Sequence, residues 1–236
     1  DEVANHTIMF LLACSKRLIQ LDKLVKNGEW TSTTIKSLFP MPAVYGQTLG
    51  LVGFGNIGRH VSRKAKAFGI NVKVYDPYLE PWVAQEYEIQ RVESLESLGA
   101  ESDYVSMHVP LNSDTKGLAD ASLFKSMKPS AYFINTCRGA THNESDLISA
   151  LNNKEIAGAA LDVFEIEPTP ESNPLLLMDN VIASPHSAGT SDNSSRDGRI
   201  RLGEEAARVL KGMYPMSLVN PAVRTKIPLR NLAKCL

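Results

Sequence analysis

The segment GFGNIG, Gly53 to Gly58, decides the fold of this chain. It follows a short β-rich run, Thr48–Val52, and it opens a stretch with helical character, Asn56–Phe68. A glycine-rich turn that joins a strand to a helix is the setting in which the pattern GxGxxG binds the phosphates of a dinucleotide. The segment alone predicts a nucleotide-binding turn, because glycines also reach this spacing by chance.

Each glycine of the segment has a physical role in that setting. Gly53 allows the tight turn, Gly55 lets the backbone approach a pyrophosphate, and Gly58 lets the helix pack closely on the strand. The N-terminus of the following helix offers unpaired N–H groups and a partial positive charge to the phosphates.

An acidic residue is expected at the end of the second strand, about 20 residues further on, to bind the adenosine ribose. Asp76 meets this requirement because it closes the β-rich run Asn71–Tyr75. An acid at this position repels the 2′-phosphate of NADP, so we expect NAD to be the cofactor. The alternative is a turn aspartate before Pro77 with no contact to a ligand.

The alternation of β-rich runs and helical stretches extends the prediction to the whole fold. The predicted strands are Thr48–Val52, Asn71–Tyr75, Tyr104–Val109, Ala131–Asn135, Ile156–Leu161 and Val181–Ser184. Most of these runs are almost continuously apolar, as in strands covered by helices on both faces. The pattern predicts the α/β class, with a doubly wound parallel sheet of the Rossmann type and helical extensions.

Helix signals divide the chain into two expected parts. Apolar residues at helical spacing predict one N-terminal helix over residues 1–25, and Asp120 and Asn143 are expected to cap two later helices. A longer helix is expected from about Thr190 to Leu210. We therefore expect a nucleotide-binding domain over residues 1–197, including the first helix, and a C-terminal helix and tail over residues 198–236.

Composition narrows the class of partner. The 236 residues are 43% hydrophobic and 22% charged with a net charge of −1, so no basic footprint for nucleic acid is present. The longest apolar stretch, Ile8–Cys14, is much shorter than a membrane span, and no leader pattern opens the chain. Cys14, Cys137 and Cys235 are widely spaced, which favours free thiols in a reducing compartment and a cytoplasmic protein.

Three later segments carry polar residues just past predicted strands, where open α/β sheets bind their ligands. They are INTCRG (Ile134–Gly139), LDVFEIEP (Leu161–Pro168) and SPHSAG (Ser184–Gly189). With these motifs the sequence resembles the D-2-hydroxyacid dehydrogenase family, and the resemblance runs from VANHT (Val3–Thr7) to Asn220-Pro221. The family implies hydride transfer between NAD(H) and a 2-hydroxy or 2-oxo acid of D configuration.

The resemblance assigns the catalytic roles to Arg138, Glu167 and His186. A guanidinium can bind the carboxylate of a 2-oxo acid and polarise its ketone oxygen. A histidine can give a proton to that oxygen near neutral pH, and a glutamate can orient the imidazole. Taken singly, His186 after Pro185 could be an ordinary loop residue and Glu167 a solvated one.

The resemblance also places the cofactor contacts. They are expected at Gly53, Gly55, Asn56, Ile57, Gly58, Asp76, Val109, Pro110, Thr136, Cys137, Arg138, Asp162, His186 and Gly189. Asn56 and Ile57 would donate backbone N–H groups to the pyrophosphate, and Asp162 would accept from the carboxamide of the nicotinamide. Asn56 stands where the family often has an arginine, which removes one possible phosphate contact.

The remaining histidines have less specific interpretations. His6, His60 and His108 are expected to be structural, and their spacing predicts no metal site. Thr141 and His142 stand where the family usually has apolar residues. Because His142 is close to Arg138 in sequence, it could alter the edge of the site or only the entry to the next helix.

The family normally has a substrate domain of roughly a hundred residues, the size of a small domain, before the first helix. We therefore expect this chain to be a fragment that binds NAD and catalyses poorly alone. A second hypothesis is an NAD-sensing regulatory protein of the corepressor type, which need not keep the catalytic triad. A homodimer is expected through the first helix and the loop after it, where Trp30, Leu38, Phe39 and Met41 either meet a partner or fold back.

Overall fold

The computed structural model describes residues 1–226, so Cys235 and the end of the predicted tail lie outside the described residues. The strands are β1 Thr48–Val52, β2 Asn71–Tyr75, β3 Gln90–Arg91, β4 Tyr104–Met107, β5 Tyr132–Asn135, β6 Gly158–Leu161 and β7 Val181–Ala183. The helices are α1 Glu2–Ser15, α2 Leu18–Lys26, α3 Ser32–Lys36, α4 Asn56–Ala67, α5 Pro81–Glu86, α6 Leu95–Glu101, α7 Ala121–Ser126, α8 Glu144–Asn152, α9 Asp192–Leu210 and α10 Val223–Lys226. Two short 3₁₀ helices span Gly139–Thr141 and Pro174–Leu177.

The seven strands form one parallel sheet in the order β3-β2-β1-β4-β5-β6-β7. The chain starts at β1 in the middle, moves outward to β3, and then crosses over to β4 and continues to the other edge. This order confirms the doubly wound fold, in which the reversal between β1 and β4 opens a crevice at the carboxyl ends of the strands.

Most predicted strands are observed with small changes at their ends. β4 ends at Met107, two residues before the predicted Val109, and β6 begins at Gly158 rather than Ile156. The sequence prediction did not include β3, whose two residues pair only with β2. Such a short edge strand is defined by its neighbour, because two residues carry no periodicity.

Apolar residues cover both faces of the sheet. One cluster joins α1 and α4 to the sheet through residues such as Leu11, Val61 and Ile134. The other packs α6, α7 and α8 on the opposite face, with Phe124 and Phe133 in edge-to-face contact at 5.1 Å between ring centroids. Burial on both faces explains why the strands have nearly continuous apolar sequences.

The prediction of a single N-terminal helix over residues 1–25 is wrong. The helix breaks at Arg17, which adopts a left-handed conformation with φ 48°, and α2 begins at Leu18. α1 buries Ile8 and Leu11 against the sheet and α4, whereas α2 buries no residue. Because Leu18, Leu21 and Val25 continue the helical spacing, the pattern alone did not reveal the break.

The chain divides into two compact units, Asp1–Gly189 and Thr190–Leu236. The first holds the whole sheet, and the second contains the predicted long helix, observed as α9. Ser191 caps α9, since its hydroxyl accepts from the N–H of Ser194 at 3.0 Å. Within residues 1–226, no helix combines the length and apolar character needed to cross a bilayer.

Candidate active site

The glycine-rich turn lies between β1 and α4, beside the crevice at the reversal of strand order. Gly53 has φ +92°, and a Cβ there would lie 2.7 Å from the carbonyl oxygen of His108. A Cβ on Gly58 would lie 2.6 Å from the carbonyl oxygen of Gly53, whereas one on Gly55 would meet nothing within 4 Å. Packing therefore requires glycine at positions 53 and 58. Gly55 faces open space, as expected for a turn whose backbone binds a phosphate.

The turn borders a cavity of about 510 Å³ that also has Asp76, Val109 and Pro110 in its lining. α4 begins at this cavity with Gly55 as its N-cap and with no side-chain cap. Asn56 and Ile57 are exposed in its first turn. The cavity, the uncapped helix N-terminus and the backbone approach at Gly55 fit one half of a dinucleotide.

Asp76 is half-buried directly after β2. One carboxylate oxygen, Oδ2, accepts from the N–H of Phe54 at 2.8 Å, and the other, Oδ1, accepts from the N–H of Tyr78 at 2.9 Å. The carboxylate thus links the glycine-rich turn to the end of β2. This position of Asp76 is compatible with both alternatives from the sequence, a contact to the ribose and a turn residue without a ligand.

Arg138 follows β5 at the same edge of the sheet and is exposed. Its Nη1 donates to the carbonyl oxygen of Cys137 at 2.6 Å, and it forms no ion pair among residues 1–226. The guanidinium therefore keeps donors that can bind an anion. Thr136 and Cys137, which precede it, are buried, and burial raises the pKa of the Cys137 thiol.

Gly139 fixes the turn of Arg138 against the loop that follows β6. A Cβ at Gly139 would clash directly with the backbone carbonyl group of Phe164. Phe164 in turn donates its N–H to Oε1 of Glu167 at 3.0 Å. The arginine turn and the glutamate loop are thereby packed backbone to backbone.

Glu167 and His186 form a hydrogen-bonded pair across two loops. Oε2 of Glu167 lies 2.6 Å from Nδ1 of His186, so the opposite ring nitrogen, Nε2, is free of this bond. Partial burial acts to raise the pKa of Glu167, but the hydrogen bonds from His186 and Phe164 outweigh it and hold the pKa below its usual value. Both residues line a cavity of about 680 Å³ that Asp162 and Ser184 also border.

Asp162 is almost fully buried and organises the loop that carries His186. Its carboxylate accepts from the N–H groups of Ser187 and Ala188, each at 2.8 Å, and its backbone carbonyl accepts from the N–H of His186 at 2.8 Å. His186 has φ 52°, a left-handed conformation that is uncommon for a side chain of this size. The observed partners of Asp162 thus include loop N–H groups, which the expected carboxamide role did not include.

Two residues of α1 also contact this edge of the sheet. Nε2 of His6 lies 3.0 Å from Oγ of Ser184, which donates to Asp162 through a very short contact. Oγ1 of Thr7 lies 3.0 Å from Oγ1 of Thr136. From the sequence, His6 is expected to be structural, and the only signal for these contacts is the VANHT segment within the family resemblance.

The other expected site residues take varied positions. Val109 is half-buried and Pro110 exposed beyond the end of β4, and Gly189 lies beside Val3 of α1. In the described part of the chain, no group of three histidine, cysteine or acidic residues is arranged to hold a metal ion.

His142 occupies a buried position behind the turn that carries Arg138. It is fully buried, and burial lowers its pKa to about 4. Its Nδ1 lies 2.9 Å from Nδ2 of Asn135, and its ring packs at 61° to that of Phe133. His142 therefore lies in the core rather than at the exposed edge of the crevice.

The sheet order, the glycine-rich turn and the acid after β2 together define a Rossmann-type dinucleotide-binding domain. The sequence model of the family described as "D-isomer specific 2-hydroxyacid dehydrogenase, NAD binding domain" matches residues 8–188. The chain belongs to this family, and NAD is its cofactor.

Individual relatives agree with this assignment. The chain is 35% identical to a D-3-phosphoglycerate dehydrogenase of Methanocaldococcus jannaschii, over 98% of this chain and 43% of that protein. It is 36% identical to a glyoxylate reductase of Thermofilum pendens, over 98% of this chain and 68% of that protein. The structure of D-lactate dehydrogenase with NAD+ from Lactobacillus jensenii superposes with a TM-score of 0.82 at 26% identity, covering 93% of this chain and 68% of that one.

Proposed function

We propose that this chain forms the NAD-binding part of an enzyme that transfers a hydride between NAD(H) and a 2-hydroxy or 2-oxo acid of D configuration. The chain spans less than half of the phosphoglycerate dehydrogenase and about two thirds of the glyoxylate reductase that it resembles. The observation that carries the proposal is the 2.6 Å pair of His186 and Glu167 at the carboxyl edge of the sheet. A paired histidine in that position can exchange a proton with a substrate.

When bound in the crevice, the cofactor would supply the hydride as NADH, or accept it as NAD+, at the carbon that bears the oxygen. His186 would give a proton from Nε2 to the ketone oxygen during reduction, and it would take the hydroxyl proton during oxidation. Glu167, bonded to Nδ1, would orient the ring and fix the tautomer with its proton at Nδ1 when the ring is neutral.

Arg138 would hold the substrate. Its guanidinium has no carboxylate partner within the described residues, and a 2-oxo acid presents a carboxylate next to its ketone. A planar fork of donors binds that carboxylate, and its positive charge stabilises the negative charge that develops on the ketone oxygen. This role distinguishes 2-oxo acids from simple ketones, which lack the carboxylate.

The test is NADH oxidation by the complete gene product across a panel of 2-oxo acids. We expect turnover with at least one 2-oxo acid and none with the matching simple ketone. His186→Gln should lower kcat by about 10²- to 10⁴-fold while the Kd for NAD stays unchanged. His60→Gln, on the exposed face of α4, is the matched control and should behave as wild type. Tight NAD binding without turnover of any 2-oxo acid would reject the enzyme and favour the NAD sensor.

We also propose that the chain forms a homodimer through α2 and the segment after it. Leu18, Trp30 and Phe39 are 55%, 79% and 57% exposed, and no residue of α2 is classed as buried in the described part of the chain. A second copy would remove this apolar surface from water. Light scattering should give the dimer mass, and Trp30→Glu should give the monomer, whereas the exposed Trp82→Glu on α5 should not. The cytoplasmic location expected from the sequence stays a prediction.

A further inference from the structure

A buried polar cluster lies directly behind the turn that carries Arg138. Its centre is the side-chain amide of Asn135, the last residue of β5, which is fully buried. Nδ2 of Asn135 lies 2.9 Å from Nδ1 of His142, 3.0 Å from the carbonyl oxygen of Arg138 and 3.1 Å from Oγ1 of Thr141. Oδ1 of Asn135 lies 3.0 Å from the backbone nitrogen of Cys137.

Chemistry fixes the orientation of this amide. A backbone N–H can only donate, so the atom of Asn135 that faces Cys137 is the carbonyl oxygen. The amino group therefore faces Arg138 and His142. The Asn135 side chain thus binds the N–H of one residue and the carbonyl of the next, and so holds the turn at both ends.

The same reasoning fixes the tautomer of His142. The amino group of Asn135 can only donate, so Nδ1 of His142 accepts and the proton of the neutral ring is on Nε2. Nε2 is buried and has no hydrogen-bond partner among residues 1–226. An apolar side chain would leave no such donor unpaired, so the bond to Asn135, which is the one hydrogen bond of the His142 ring within residues 1–226, is the interaction that distinguishes it from an apolar residue.

We infer that His142 is a positioning residue for Arg138. By accepting from Asn135, the ring holds the amide that fixes both ends of the Cys137–Arg138 turn, and this turn aims the guanidinium. Thr141 supports the same turn, since its hydroxyl donates to the carbonyl oxygen of Arg138 at 2.7 Å. The inference rests on the proposed function only where it concerns the substrate, because the contacts of the turn exist without it.

Three variants distinguish a positioning role of His142 from a role in core packing alone. His142→Leu keeps apolar bulk and removes the acceptor. His142→Asn places Oδ1 close to the former position of Nδ1 and restores an acceptor. Phe124→Leu disturbs the same side of the sheet, because Phe124 packs on Phe133, and it serves as the control because a phenylalanine side chain supplies no hydrogen bond to the cluster.

The first readout is hydrogen exchange of the Cys137 amide, measured by NMR on the chain itself. His142→Leu should speed exchange of this amide by about tenfold or more relative to that of Phe133, since the Asn135 amide loses its orientation. His142→Asn should stay within about threefold of wild type, and so should Phe124→Leu. Unchanged exchange in His142→Leu, or equal losses in His142→Leu and His142→Asn, would overturn the inference.

The second readout uses the complete gene product. His142→Leu should raise the KM for the 2-oxo acid by about tenfold to 100-fold, because small displacements of a binding group are costly. The value of kcat and the affinity for NAD should change less, since Cys137 and Arg138 are only two of the expected cofactor contacts. A KM equal to wild type would remove the link to Arg138. If wild type itself has no turnover while the exchange pattern is as expected, the proposed function fails and the positioning of the turn stands.

Discussion

The backbone carbonyl of Asp162 accepts the N–H of His186 at 2.8 Å, while the carboxylate of the same aspartate binds the next two N–H groups. One buried residue therefore holds three consecutive donors of the loop that presents the histidine. Consecutive N–H groups that converge in this way form a small anion-binding nest, here filled by the protein's own carboxylate.

Replacing this carboxylate should displace His186. In Asp162→Asn, an amino group faces one of the two N–H donors, which leaves that donor unpaired. We expect a loss of about 1–3 kcal/mol in the free energy of unfolding and a fall of about 100-fold in kcat. Denaturant unfolding and NADH oxidation measure the two effects. Asp179→Asn is the control, since that carboxylate is exposed and bonded to Lys23, and it should change neither.

The pair of Glu167 and His186 should appear in the pH dependence of stability. Hydrogen bonds hold the pKa of Glu167 below its ordinary value of 4.5, against the effect of partial burial. The carboxylate therefore stabilises the fold at pH values above 4.5, and this contribution is lost as the pH falls through the lowered pKa. Wild type should be more stable than Glu167→Gln at pH 7, and the two stabilities should converge as the pH falls through the lowered pKa of Glu167. Parallel curves over the whole range would contradict the pairing.

His142 should make the protein sensitive to mild acid. Burial lowers its pKa from 6.5 to about 4, so the unfolded chain takes up a proton more readily than the folded one within this window. Stability is complete above pH 6.5 and decreases as the pH falls toward 4. The change amounts to about 3 kcal/mol for this one group. His142→Leu should reduce the acid sensitivity by that amount in urea titrations at several pH values; an unchanged slope would mean that the ring is accessible to protons.

Asp76 should control the choice of cofactor. Asp76→Ala removes both the negative charge that is expected to face the ribose and the bond to the N–H of Phe54. We expect NAD to bind severalfold more weakly and the preference over NADP to fall, as measured by calorimetry with both cofactors. Asp114→Ala, which alters another acid of the same cavity, is the control. An unchanged ratio of the two affinities would show that Asp76 is only a turn residue.

Most of the sheet could be predicted because its signals are local. β1 and β2 have the predicted ends, since apolar residues and turn residues define both within a few positions. Asp120 and Asn143 cap α7 and α8 as expected, because an N-cap acts on the next two or three residues. The break at Arg17 could not be predicted, because the docking of α1 on the sheet and α4 fixes where the helix must turn.

The sequence predicted those parts of the site in which the type of side chain indicates its chemical role. The partnership of Glu167 and His186, 19 positions apart, came from the family resemblance and agrees with their observed contact. The bonds of Asp162 to Ser187 and Ala188 left no trace in the sequence, because their donors are backbone groups that every residue type supplies. The catalytic and cofactor roles of the individual residues stay predictions until the variants are measured.

The contact of Gly139 with the backbone of Phe164 limits how this protein can be recombined with its relatives. Any exchanged segment that ends between Arg138 and Glu167 would combine two loops that were not selected to fit each other. Insertions in either loop would disturb the same contact, since the two backbones pack directly against each other. Designers of chimeric enzymes should therefore transfer residues 134–168 as a single block.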